Sequence, residues 1–219
     1  PTDALTVQLP GEDAARPVTL EDVAYAIGTG RYMQAYAIAV EAEAGDDEEA
    51  ATEYVVLPFV WDAVNSQWQP YALADEWPAD AYDFESQCAA CHVTGYQAET
   101  ATWLEDGVQC ETCHGPGSAH LQVVRSRDAA PEDISASIVL SPDSAICGAC
   151  HSQGASEDGH PFPVGYTAGD DLLGAGGFAL VPPDDAAHWW PSGHASQKYM
   201  QFNEWLNSTH ASSLEGLRS

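Results

Sequence analysis

The sequence predicts a mostly irregular fold, with a small N-terminal antiparallel β meander, a few short α-helices and long loops that need something other than side chains as their interior. Three observations lead there. Loose apolar alternation occupies residues 31–73, the pattern of half-buried strands. Residues 152–193 are dense in Gly, Pro and Asp and carry no period of either helix or strand. All six cysteines fall within residues 86–151, in three copies of one pattern.

The three copies are Cys88-Ala89-Ala90-Cys91-His92, Cys110-Glu111-Thr112-Cys113-His114 and Cys147-Gly148-Ala149-Cys150-His151. Each reads C-x-x-C-H, the attachment signature of a c-type haem. The spacing has a chemical reason. Two intervening residues put both thiols on one short helical turn, where they can add across the two vinyl groups of one porphyrin. The next residue, His, then lies under the ring as an axial ligand to iron. C-x-x-C pairs also build zinc sites, but three pairs do not divide evenly into four-ligand sites. A disulfide framework fits less well, since cysteines within three identical motifs rarely pair that way. The cofactor set is therefore three haem c groups. They are attached at Cys88 and Cys91, Cys110 and Cys113, and Cys147 and Cys150, with His92, His114 and His151 as proximal iron ligands.

Taken in order, residues 1–18 lack periodicity and are expected to form an extended arm. Thr19 with Asp22 three residues on is a helix-start signal, which predicts a short helix from Leu20 to Ile27 closed by Gly28. Strands follow at Arg31–Glu43, Tyr54–Trp61 and Gln67–Leu73, joined by an acidic turn at 45–49 and a second turn at 62–66. The aromatics of this region are expected to pack as core. Two regions result: 1–85, the arm and β-rich part, and 86–219, the three-haem part. The stretch from Val93 to Gln109 is short enough to force the first two haems together. A helix is expected near Ser118–Arg127, a linker at Pro131–Asp133, and a last helix from Gln197 to about Asn207 capped by Ser196. A long irregular stretch at 152–193 would argue against a compact fold, except that a rigid apolar disc can act as the core that loops wrap around.

Net charge is −28, from 34 acidic and 6 basic residues, and Lys198 is the only lysine. That excludes nucleic acid as a partner class, since phosphate binding needs a basic face. It fits a chain adapted to high salt, where the Debye length falls to about 3 Å at 1 M and repulsion between carboxylates is screened. No apolar run is long enough to span a bilayer. The chain begins at Pro1 and haem attachment takes place outside the cytoplasm, so a removed or missing leading segment and an extracellular, surface or periplasmic location are expected.

Five of the eight histidines are not in the motifs: His120, His160, His188, His194 and His210. Three haems need at most three distal ligands, so bis-histidine ligation is within supply. Met33 and Met200 sit in no obvious ligand loop. His120 follows the second motif through a Gly-Pro-Gly turn, and His194 and His210 flank the last helix. These three are the candidate distal ligands. His160 and His188 lie in the Gly- and Pro-rich stretch and are not assigned.

The run Gly107-Val108-Gln109-Cys110-Glu111-Thr112-Cys113-His114-Gly115-Pro116-Gly117-Ser118-Ala119-His120 resembles an element of multihaem cytochromes c. That family is similar to the tetrahaem cytochromes of ammonia oxidisers and includes subunits of extracellular cytochrome filaments. Asp22–Gly28, Tyr54–Pro58 with Trp61, Pro161–Tyr166, Trp190–His194 and Ser208–Ala211 also look like family elements, so the resemblance covers most of residues 20–212. Relatives commonly carry a further C-x-x-C-H before the meander, and no Cys precedes Cys88 here. The chain is thus a three-haem version, or one without its first segment.

The resemblance implies electron transfer through closely spaced six-coordinate haems rather than enzymatic turnover. It also implies head-to-tail assembly with copies of itself, a His ligand being shared across the joint, and exchange with redox proteins or extracellular acceptors. A discrete electron shuttle and a redox enzyme with an open haem site are the alternatives.

Overall fold

The structure is a computed structural model, and it describes residues 5–41, 51–140 and 143–213. It divides into two compact units, Pro1–His92 and Val93–Ser219. The first motif thus closes the first unit, whereas the boundary read from the sequence lay before it.

In the first unit, β1 (Thr6–Val7) pairs antiparallel with β2 (Arg16–Pro17). The arm expected to be extended is a hairpin, because Leu9 can be buried beneath it. Arg16 locks it, bonding Asp22 through both terminal nitrogens at 2.9 and 2.6 Å and Glu12 through Nε at 3.0 Å. The helix expected from Leu20 to Ile27 is instead strand β3 (Val23–Ile27). The Thr19–Asp22 signal is used differently. The Asp22 carboxylate accepts the Thr19 amide at 2.7 Å and its hydroxyl at 2.9 Å, closing a turn. Val23, Tyr25 and Ile27 then alternate with alanine, which suits one face of a sheet.

The long strand β4 (Met33–Glu41) has β3 along one edge. Its other edge takes β5 (Thr52–Val56) and β6 (Phe59–Asp62) in succession. The single strand expected over 54–61 is broken at Leu57-Pro58, since proline offers no amide to the ladder. The hairpin partner β7 (Gln67–Pro70) completes an antiparallel sheet. The Asp62 carboxylate makes the turn between them, accepting the amides of Val64 and Asn65 at 3.0 Å each. The acidic turn expected at 45–49 lies outside the described residues. Leu9, Ile38, Leu57 and Phe59 form the buried core, with Tyr36 and Trp68 packed on it. Tyr25 stacks on Phe84 at 5.5 Å, and the Tyr82 hydroxyl bonds the Leu73 amide and the Tyr71 carbonyl. These contacts fix the residues leading into the first motif.

The second unit is short elements joined by loops. A two-residue ladder, β8 (Val93–Thr94) with β9 (Glu105–Asp106), precedes helix α2 (Cys110–His114); α1 is the turn Ala90–His92 that ends the first unit. Helix α3 (Ser118–Arg125) occupies the expected place. The expected linker at Pro131–Asp133 opens helix α4 (Pro131–Ala136), because proline suits the first helical position and Glu132 and Asp133 suit the first turn. Helix α5 (Ala145–Gly148) carries the third motif. The pair β10 (Gly154–Ala155) and β11 (Ala179–Leu180) is the strand pairing of the loop-rich stretch among the described residues.

The last helix, α6 (Gln201–Leu206), is shorter than expected. Tyr199 stands at φ +58°, outside helical space, and the Ser196 hydroxyl donates to the Ala187 carbonyl instead of capping. Phe202 of this helix is buried, while Tyr199 and Leu206 are exposed.

Candidate functional site

Each C-x-x-C-H motif sits on a helical turn. The first runs from a π-helical turn, Glu85–Ala89, into α1. The second is α2 itself. The third continues past α5, where the His151 amide donates to the Cys147 carbonyl at 2.9 Å. Cys110, Cys113 and Cys147 are exposed, and Cys88 is partly buried. Burial, with Asp83 as a smaller contribution, pushes the Cys88 thiol up to about 11. Desolvation also lowers the His92 imidazole.

Local contacts aim the second motif. The buried Thr94 hydroxyl donates to the Gly107 carbonyl at 2.8 Å, accepts the Gln109 amide at 2.9 Å, and lies 2.8 Å from the Thr112 hydroxyl. It thereby pins the start of α2. Gly115 at φ +70° turns the chain out of α2, a conformation side chains resist. Glu111, between the two cysteines, accepts the Gly117 amide at 2.6 Å and so ties α2 to the start of α3. The third motif is held by α6: the Phe202 amide donates to the His151 carbonyl at 2.9 Å. Asn203 exchanges two hydrogen bonds with the Gln153 backbone, at 2.9 and 2.8 Å.

Five of the eight histidines share one feature, which is an occupied Nδ1. His114 Nδ1 lies 2.8 Å from the Val139 carbonyl, which can only accept. His120 Nδ1 lies 2.9 Å from the Ser137 hydroxyl, whose own hydrogen goes to the Ile134 carbonyl at 2.7 Å. His188 meets Asp185 at 3.1 Å, His194 meets Glu204 at 2.7 Å, and His151 meets the Gln201 side-chain oxygen at 3.4 Å. Both carboxylates are held below the usual range. Asp185 is lowered chiefly by the Ala187 amide and then by His188, and Glu204 chiefly by His194. Facing acceptors at Nδ1, these five imidazoles have Nε2 as the ring nitrogen left for a metal. That is the arrangement a metal-binding imidazole needs, with the outer hydrogen bond that orients it.

His160 differs: its ring packs at 5.1 Å from that of Phe162. For the His210 ring the described residues offer no such acceptor; its backbone amide donates to the Ser208 hydroxyl at 3.3 Å. Nothing in the sequence marks Ser137, Val139 or Glu204 as partners, for they lie 17, 25 and 10 residues from the imidazoles they serve. Asp185, three residues before His188, was within reach of a spacing argument.

The fit to haem rests on burial. Among the described residues no apolar side chain between Thr94 and Phe162 is buried. Yet α2, α3, α4 and α5 all lie there, each far below the ~12–15 residues at which an isolated helix becomes even marginal. Large apolar side chains are instead turned outward, among them Leu104, Val108, Leu121, Val124 and Leu140. Beyond that stretch, the Trp189 indole nitrogen is buried without an acceptor. Thiol pairs on helical turns, outward apolar side chains and bare Nε2 atoms are the surroundings a covalently bound porphyrin requires.

A family model described as cytochrome c554 and c-prime matches residues 63–115, which contain the first two motifs. Among solved structures, the chain is similar to the outer cell wall cytochrome OcwA, with a TM-score of 0.67 and 27% identity over 91% of this chain. The match takes in 43% of that cytochrome, so this chain spans less than half its length. No curated protein matches.

Proposed function

We propose that the chain is a multihaem cytochrome c that conducts electrons through three c-type haems as a subunit of an extracellular cytochrome filament, a reading supported by its likeness to the cytochrome c554 family and to an outer cell wall cytochrome. Cys88 and Cys91, Cys110 and Cys113, and Cys147 and Cys150 hold the three groups, with His92, His114 and His151 on the proximal side. His120 and His194 serve as distal ligands, and a third imidazole, which the sequence assigns to His210, completes the set. Haem bound in this way supplies a one-electron iron couple.

The rest is the chain's work. Nδ1 acceptors keep the Nε2 lone pairs aimed. Histidine on both sides leaves no coordination site for substrate and favours a low potential over methionine ligation. The observation that carries the reading is the three motif turns, two of them in a stretch with no buried apolar side chain among the described residues.

The filament reading is supported by the family resemblance. A head-to-tail contact does not close, so copies joined that way make fibres. The likeness to an outer cell wall cytochrome favours a second reading, a discrete carrier at the cell surface. No helix among the described residues is long and apolar enough to cross a membrane.

Haem stoichiometry by mass, with the spin state of the oxidised protein, tests the core of this function. Three haems, all low-spin and inert to carbon monoxide after reduction, are expected; fewer haems or a high-spin fraction refutes it. Electron microscopy at the salt of the native medium tests assembly, and dispersed particles there would leave the surface carrier.

A further inference from the structure

His188 stands in a part of the chain where loops dominate, yet its surroundings are as well defined as those of any other imidazole here. Residues 188–196 form a tight hairpin. The Ser196 amide donates to the His188 carbonyl at 2.8 Å, the Trp190 amide to the His194 carbonyl at 2.9 Å, and Trp189 bridges to Ala195.

Strand alternation then sorts the side chains. Trp189 points into the protein and is 5% exposed. His188, Trp190 and His194 share the opposite face, and Trp190 is 60% exposed. A diagonal pair such as His188 and His194 has Cα atoms about 7–8 Å apart. Each of the two imidazoles is braced by a carboxylate at Nδ1, Asp185 for one and Glu204 for the other. Two imidazoles with matched braces on one face have no structural task that needs their Nε2 atoms bare.

We propose that His188 is a haem-iron ligand, so that this hairpin supplies the distal nitrogens of two neighbouring haems, His188 to one and His194 to the other. This rests on the three-haem reading above. His120, His188 and His194 then complete the three irons of one chain, and His210 is not needed for ligation. The carboxylate brace makes each hairpin imidazole a stronger donor than His120, whose brace is a neutral hydroxyl, and so favours ferric iron. Asp185 and Glu204 are positioning residues in this scheme.

The test uses the haem-loaded full chain. His188→Gly should turn one haem in three high-spin and able to bind carbon monoxide, and added imidazole should restore the low-spin spectrum. His210→Gly, studied as a monomer, should change neither. A fully low-spin His188→Gly protein, or a high-spin haem produced by His210→Gly, would overturn the assignment. If His188→Gly does not accumulate, Asp185→Asn serves. It should raise the midpoint potential of a single haem with spin states unchanged, and three unaltered potentials would count against His188. A wild-type protein with fewer than three low-spin haems would instead sink the underlying three-haem reading.

Discussion

Replacing Thr94 by valine keeps the shape of the side chain and removes one hydroxyl. That hydroxyl is buried and serves the Gly107 carbonyl, the Gln109 amide and the Thr112 hydroxyl. A typical hydrogen bond contributes about 1 kcal/mol net, so three set an upper value of about 3 kcal/mol. Gln109 is exposed and Gly107 and Thr112 are half-exposed, so water can replace part of the loss. The extra methyl gains little in a polar niche. We therefore expect a cost of about 2 kcal/mol.

For a chain of this size that is a fall of about 4–8 °C in melting temperature. Far-ultraviolet circular dichroism and the Soret band, followed together through thermal unfolding, measure it. Because Thr94 pins the start of α2, the Soret signal should move with the backbone signal rather than lag behind it. A shift under about 2 °C would mean that the hydroxyl does not hold the second motif in place.

Three further perturbations follow from the same contacts. A methyl at Gly148 would meet Leu172 at 2.6 Å and Phe202 at 2.8 Å, so Gly148→Ala should cost about 1–3 kcal/mol by overpacking and lower the yield of the third haem; full haem content and an unchanged melt would contradict that. Burial, then Asp83 and Glu53, pushes Glu85 up to about 7 from an ordinary 4.5. The folded state therefore binds the extra proton between those values, and this group's contribution to stability falls as pH rises from about 4.5 to 7. Glu85→Gln should flatten that slope in denaturant titrations, and an unaltered slope would dissociate Glu85 from it. Finally, with a net charge of −28, lowering salt from ~1 M to ~0.01 M lengthens the screening distance from about 3 to 30 Å, so the melting temperature should fall on desalting and any fibre should loosen. A flat salt response in both melting and light scattering would show that self-repulsion is not limiting.

Parts of this architecture were legible because the chemistry that sets them is local. Two thiols and a His on one turn need only five consecutive residues, so the motifs read directly. The alternation of Tyr36, Ile38 and Val40 placed β4, since a pleat repeats every two residues. Local signals also misled where two structures use the same groups. Thr19 with Asp22 can start a helix or close a turn, and the alternation of Val23, Tyr25 and Ile27 decided for the turn. Pro131-Glu132-Asp133 can be a linker or a helix start, and Ser137 retained the helix by bonding both the Ile134 carbonyl and His120. The braces on the imidazoles were invisible because they join distant segments: His151 meets Gln201 from 50 residues away.

The two units bury apolar side chains in different ways, and this bears on what folds what. In the first, Ile38 and Phe59 of the sheet pack with Leu9 and Leu57, so that unit has an interior of its own. In the second, buried apolar residues among those described begin at Phe162, apart from Val93, while four short helices lie before it. Hydrogen bonds alone do not hold such helices, because each bond made inside the protein replaces one to water and nets little. A gain of about 25 cal/mol per Å² of apolar surface removed from water is needed, and the outward-facing Leu104, Val108, Leu121 and Val124 can realise it only against an added apolar surface. Haem attached at the second and third motifs would provide such a surface. In the stretch before Phe162 the electron-carrying groups would then also serve as hydrophobic core, so a change that weakens haem packing should disturb both folding and potential.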